Sequence, residues 1–245
     1  SINIPGIMSI QGQRPISDQR ADFTVNIIKQ LFSHPITHLD IGSNLGRFNA
    51  EIAKHNIIRK SIGIEAFQKY VDLSKALAIL DTTNKTEFIC AECGNHSLAE
   101  LLNNYTIDFV TIYSVYHHIS NKDKFIEDLR QLNPSYIMLE MATQDNCYEK
   151  SWQDEIKYIS QRLLIPHSKC VWYSEDYHRP IILLSKHPIP DINTKETVYS
   201  NANYTPSKAL QTNASIPISI VLPTYNNSSL LKKSIERLSN MNLIA

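Results

Sequence analysis

A chain of 245 residues, 42% hydrophobic and 20% charged, has the make-up of a globular protein, with room for one large α/β domain or one domain plus fragments. Lys and Arg number 24, and so do Asp and Glu, so no net field draws it to nucleic acid or to an anionic membrane. No apolar run reaches the length of a membrane span, and the opening SINIPGIMSIQGQRP lacks the basic-then-apolar layout of a signal peptide, so the expected compartment is the cytoplasm.

Residues 17–32 read as a helix with Ser17 as N-cap, because Phe23, Ile27 and Leu31 recur every four residues and Pro35 follows. Then come a strand ITHLDI (36–41), a helix near Leu45–His55, a strand SIGIE (61–65) and a helix over 67–80. The alternation continues with TEFIC (86–90), a helix near 96–103, IDFVTIY (107–113) and a helix over 122–132. YIMLEM (136–141) is a further strand and 151–163 a further helix. CVWY (170–173) and PIILLS (180–185) read as two closing strands, an antiparallel pair. Short apolar strands alternating with helices predict a Rossmann-like, doubly wound, seven-stranded and mainly parallel sheet with helices on both faces. Ligands of such sheets bind at the carboxyl ends of the strands.

From 188 to 214 the chain turns polar, rich in Asn, Thr, Ser and Pro, without an apolar period, and reads as a linker. Four cysteines, Cys90, Cys93, Cys147 and Cys170, fit a reducing setting. Cys90-Ala-Glu-Cys93 has the spacing of a zinc half-site, but no second ligand pair accompanies it, so no metal is expected.

Asp40-Ile-Gly-Ser-Asn-Leu-Gly46 follows a strand and opens a helix, where small residues make the turn and the helix N-terminus offers unpaired N–H groups. A dinucleotide site needs G-x-G-x-x-G, and Gly42 and Gly46 do not have that spacing. The loop resembles the D/E-x-G-x-G-x-G loop of class I S-adenosylmethionine-dependent methyltransferases, with Asn44 at the middle glycine. Asn is the best non-glycine occupant of a left-handed position.

Two further stretches extend the resemblance. Glu65 ends the second strand, where a carboxylate can accept both ribose hydroxyls, or simply face solvent. IDFVTIYSVYHHI (107–119) resembles the fourth motif of these enzymes. Over roughly 15–187 the chain is similar to the methyltransferase domain of the bifunctional methyltransferase–kinases that terminate bacterial polymannose O-antigen chains. The resemblance implies S-adenosylmethionine as cofactor, held by Arg20, Asp40, Gly42, Ser43, Asn44 and Gly46 on one side. Glu65, Ala66, Phe67, Glu92, Cys93 and Ser114 would hold the other. Phe67 is either a cover for the adenine or a core aromatic. Arg20 either pairs with the methionine carboxylate or is a plain surface residue.

Methyl transfer is an in-line displacement, so holding the partners in line supplies much of the rate. A hydroxyl acceptor also needs a base; His118 is read as that base and His117 as a positioning group, against the bland reading of histidines bonded to backbone. Glu140 can orient a histidine, bind a sugar hydroxyl or form an ion pair. The acceptor, a saccharide or phosphosaccharide end, is assigned to Tyr116, Trp152, His178 and Arg179, the guanidinium suiting a phosphate. Trp172, Tyr173 and Tyr177 can stack on sugars or pack in the core.

The ending ISIVLPTYNNSSLLKKSIERL (217–238) resembles the first strand, nucleotide-contacting turn and first helix of inverting GT-A (family 2 type) glycosyltransferases. Residues 215–245 are thus read as the start of a fused glycosyltransferase domain, in a fragment of a longer polypeptide. The expected whole is a methyltransferase that modifies what its fused neighbour builds, at the inner face of the inner membrane. An NAD-dependent oxidoreductase, or a methyltransferase-like module that only docks a glycosyltransferase, are the alternatives.

Overall fold

The computed structural model describes residues 2–4, 8–10, 19–79, 83–143, 151–174 and 178–193. Several sequence expectations lie outside these residues: the cap at Ser17, Cys147, Tyr177, the linker beyond residue 193 and the glycosyltransferase-like stretch. Two compact units divide the chain, Ser1–Ile16 with Tyr199–Ala245 and Ser17–Val198. Of the first, the described part is an antiparallel pair, β1 (Ile2–Ile4) and β2 (Met8–Ile10), which the sequence reading did not foresee.

The second unit follows the predicted alternation. It runs α1 (Arg20–Leu31), β3 (Ile36–Ile41), α2 (Arg47–Ala53), β4 (Ile58–Glu65), α3 (Gln68–Ala78), β5 (Thr86–Cys90) and α4 (Leu98–Leu101). After these come β6 (Phe109–Tyr113), a 3-10 turn at Tyr116–His118, α5 (Lys122–Leu132), β7 (Tyr136–Glu140), α6 (Trp152–Leu163), β8 (His167–Tyr173) and β9 (Pro180–Ser185). The seven strands lie in the order β5-β4-β3-β6-β7-β9-β8, with the first five parallel and β9 antiparallel to both β7 and β8. From β3 the chain winds outward to β4 and β5, then returns to lay β6 on the other side of β3. This reversal makes the carboxyl ends of β3 and β6 the switch point where ligands of such sheets settle.

Helix ends follow local chemistry. Asn121 and Ser151 cap α5 and α6 by accepting the backbone N–H groups of Lys124 and Asp154. By contrast α1 begins at Arg20, with Gln19 in the cap position and no side-chain cap. Its stripe is as predicted, with Phe23 and Ile27 buried and Leu31 packed beside them.

Period-two patterning splits the core into two layers. Leu39, Ile41, Val110, Ile112, Ile137 and Leu139 face α4, α5 and α6. Phe109, Tyr113 and Met138 face the opposite way, toward α1 and α2. Residues 188–193 do not behave wholly as a linker. Ile189 and Ile192 pack on this second layer, and the Asn193 N–H donates to Gln30.

Phe125 is fully buried in the first layer. Phe125→Ala is expected to cost about 3–5 kcal/mol of stability, read from the urea midpoint at unchanged slope.

Candidate active site

The loop after β3 has three residues in the left-handed region, Gly42 (φ +78°), Asn44 (φ +50°) and Gly46 (φ +68°). A Cβ on Gly42 would lie 2.8 Å from Val115 Cγ2, and one on Gly46 would lie 2.4 Å from the Phe88 ring. The absence of side chains therefore lets the loop close both on the segment leading to the His117–His118 turn and on β5. Asn44 adopts the conformation that its place in the motif demands, and its N–H donates to Glu65 Oε2 at 2.9 Å. The other oxygen of Glu65 accepts the Phe67 N–H at 3.1 Å. Two backbone donors thus hold this carboxylate at the end of β4, with lone pairs left for ribose hydroxyls.

Ser43 offers a direct test of fit. Its Oγ is buried and has no partner, an unmet donor and acceptor at the loop centre. With the left-handed turn and the tethered Glu65, that orphan hydroxyl suits a polar ligand lying across the loop, and the residues fit S-adenosylmethionine.

Asp40 is buried at the end of β3 and accepts the Thr111 hydroxyl at 2.8 Å. Burial pushes its carboxyl up to about 7; the Thr111 bond and Arg20 oppose that shift and Glu65 adds to it. Thr111 Oγ1 also meets His38 Nε2 at 2.8 Å, His38 Nδ1 meets Ser61 Oγ at 3.0 Å, and Asn49 Nδ2 donates to Ser61 Oγ at 3.1 Å. Burial holds His38 at about 3, so its imidazole is neutral.

Across the switch point, Glu140 at the end of β7 is fully buried. Its Oε2 accepts Arg20 NH1 at 3.0 Å and the Ser114 hydroxyl at 2.6 Å. Ser114 is itself left-handed (φ +58°), and its Oγ accepts Arg179 NH1 at 3.1 Å. Of the three roles open to Glu140 in the sequence, the ion pair is present, with Arg20. Arg20 is buried rather than a surface residue, and its guanidinium also lies 5.3 Å from the Tyr113 ring centre.

His117 is half-buried, with Nδ1 enclosed and without a partner, and its ring lies 4.0 Å from that of His118. Burial, followed by His118, Arg179 and Lys122, holds it down at about 4 against the opposing pull of Glu140. His118, read from sequence as the base, is exposed.

Other residues fall apart from these groups. Tyr116, assigned to the acceptor, is instead a core residue whose hydroxyl donates to Glu155. An aromatic here fills the layer beneath α5, and only its hydroxyl reaches a polar partner. Trp152 is partly buried against the same layer, and Trp172 stacks on Phe23 at 4.6 Å. Tyr173 and His178 stack on each other at 5.0 Å, with Tyr173 exposed. Phe67 is 62% exposed, which removes the core reading and leaves the ring available as a cover. Ala66 and Glu92 are exposed, whereas Cys93 packs on the core with its thiol pushed by burial to about 12.

Sequence reasoning missed His38, Ser61, Thr111 and Asn49. A signal was present: His38 and Asp40 alternate in ITHLDI, so they share one face of a strand otherwise apolar. Among the described residues, no group of three or more His, Cys, Asp or Glu is placed to hold a metal, and no helix is long and apolar enough to cross a membrane.

The methyltransferase domain family matches residues 39–145. Over that span the chain is similar to the methyltransferase domain family. The matched span contains the Gly42–Gly46 loop, Glu65, Ser114 and the His117–His118 turn, and the cofactor such a domain implies is S-adenosylmethionine. Among solved structures, the bifunctional kinase–methyltransferase WbdD is similar with a TM-score of 0.54 at 19% identity, over 72% of this chain and 41% of that one. A SAM-dependent methyltransferase from Aquifex aeolicus gives 0.51 at 17% identity, over 68% and 92%. The methyltransferase domain of bacterial CtHen1 gives 0.56 at 11%, over 69% and 98%. At these identities the likeness is one of fold, and the domain has the class I methyltransferase fold. The chain spans about two fifths of the length of WbdD. No curated protein sequence matches it.

Removing Arg20 would take away the guanidinium that faces the buried Glu140 carboxylate. Arg20→Ala is expected to destabilise the domain by about 3–5 kcal/mol in chemical denaturation. Asp40 has the opposite pH signature to an ion-paired carboxylate. Its folded pKa lies above its unfolded value, so its contribution is fully present below about pH 4 and is lost as pH rises to about 7. The melting temperature of Asp40→Asn should therefore gain on that of the unaltered domain between those values and hold its lead above them.

Proposed function

We propose that this chain is an S-adenosylmethionine-dependent O-methyltransferase acting on the saccharide or sugar-phosphate end of a bacterial surface polysaccharide, an O-antigen or capsule. The observation that carries the reading is the pairing of two groups across the switch point. The Gly42–Glu65 loop with its orphan Ser43 hydroxyl lies on one side, and the Arg179–Ser114–Glu140–Arg20 group beside His117 lies on the other. The family resemblance seen in the sequence supports the polysaccharide setting, and the fold likeness to WbdD, a kinase–methyltransferase, supports the methyltransferase part.

When bound, the cofactor supplies a methyl group activated on a sulfonium. The chain's part is to hold the loop side by Ser43, Asn44 and Glu65, and to present the acceptor from the Arg179 side. A hydroxyl acceptor needs a proton taken away, and a histidine of the His117–His118 turn can receive it. A phosphate needs no base and gains from a guanidinium. Local electrostatics favour the phosphate, because a histidine held at about 4 is a weak proton acceptor whereas Arg179 is fixed and charged. The fused glycosyltransferase, the linker from Pro188 and a cytoplasmic site at the inner membrane belong to the same proposal.

The test is incubation with S-adenosylmethionine and matched saccharides, with and without a terminal phosphate, reading added methyl by mass. Methylation of the phosphorylated ends is expected, with Arg179→Lys raising the acceptor KM about tenfold and His118→Ala changing turnover little. Transfer only to hydroxyl ends, lost in His117→Ala or His118→Ala, would reverse the choice of acceptor. Transfer to no glycan would end the saccharide reading.

A further inference from the structure

The buried chain Asn49–Ser61–His38–Thr111 plays no part in methyl transfer as described above, and it ends on the Asp40 carboxylate at the switch point. Its hydrogens run in one direction. Thr111 spends its single O–H on Asp40 Oδ1, so the contact at 2.8 Å with His38 must be His38 Nε2–H donating to Thr111 Oγ1. A neutral imidazole with its proton on Nε2 accepts at Nδ1, and Ser61 donates there, its own oxygen accepting Asn49 Nδ2. All four donors therefore point toward Asp40. Each residue of the chain is buried, so no solvent competes for these bonds.

We propose that His38 is a positioning residue for the cofactor: acting through Thr111, it orients Asp40 and favours the charged carboxylate that a cationic ligand selects. A hydrogen bond to an ionised acceptor is roughly twice as strong as one to a neutral acceptor, so the relay lowers the cost of charge on Asp40. The other groups facing Asp40 are Arg20 from α1, which also favours the charge, and Glu65 from β4, which opposes it. The Tyr113 phenol of β6 is pushed far up by burial and stays neutral. With Asp40 at about 7, neutral pH divides it between its two forms. Binding of S-adenosylmethionine, positively charged at sulfur and at its amine, draws Asp40 to the charged form, and the proton passes to solvent.

The inference rests on the reading of the Gly42 loop as the cofactor site. Its test is calorimetric binding of S-adenosylmethionine in buffers of differing ionisation enthalpy, which counts protons released. About half a proton should leave at pH 7, approaching one near pH 5.5 and none near pH 9. Thr111→Val should weaken binding up to about tenfold at pH 7 and recover it near pH 9, with Thr111→Ser restoring the original profile. His38→Leu should shift the profile in the same direction by less, and Asp40→Asn should remove the pH dependence. A loss equal at every pH in Thr111→Val and His38→Leu, or no proton released by the unaltered chain, would overturn the proposal. Should Thr111→Val fail to fold, the proton count on the unaltered chain decides. No S-adenosylmethionine binding by the unaltered chain would instead remove the cofactor reading beneath it.

Discussion

A fully buried carboxylate must be neutralised where it stands, and Glu140 imposes that condition on the β7 side of the switch point. Its partners come from distant parts of the chain: Arg20 opens the first helix, Ser114 follows β6, and Arg179 reaches Ser114 from the residue before β9. Satisfying one buried charge thus fixes the placement of α1, the β6 turn and the closing strand together. Ser114 accepts a left-handed backbone to take part.

The sheet supplies the frame in which this can happen. Chain reversal at β3 leaves a crevice at the carboxyl ends of β3 and β6, and the residues just past those ends are the glycine loop and the His117–His118 turn. Gly42 brings them together, because Val115 occupies the space where a side chain would stand. One face of the sheet is apolar along its centre, with Leu39, Ile41, Val110, Ile112, Ile137 and Leu139. The other carries His38, Asp40, Ser61 and Thr111 in register on neighbouring strands, a polar seam that only mutual hydrogen bonding makes tolerable in the interior.

Much of this was legible from residues alone. ITHLDI, TEFIC and PIILLS were bounded as they are found, because apolar runs between turn residues carry their own limits. The first helix, predicted over 17–32, is described over Arg20–Leu31, and β8 begins three residues before CVWY because an edge strand may be half polar. In the site, the glycine loop and Glu65 could be read because local backbone conformation and strand-end position demand particular residues there. Tyr116 could not. Its aromatic ring suits a sugar or a core equally well, and the choice depends on which way the 3-10 turn faces.

The sequence by itself determined the alternation of elements, the class of sheet and the loop that turns left-handed after β3, since each follows from contacts within a few residues along the chain. Only the tertiary structure decided that Arg20 would meet Glu140 across 120 positions of chain, that His117 would be enclosed while His118 stayed exposed, and that four scattered polar residues would converge on Asp40. The reason is physical. Periodicity records which face of an element is buried, whereas the partner of a buried polar group depends on strand order and register, and these are set by the packing of the whole sheet.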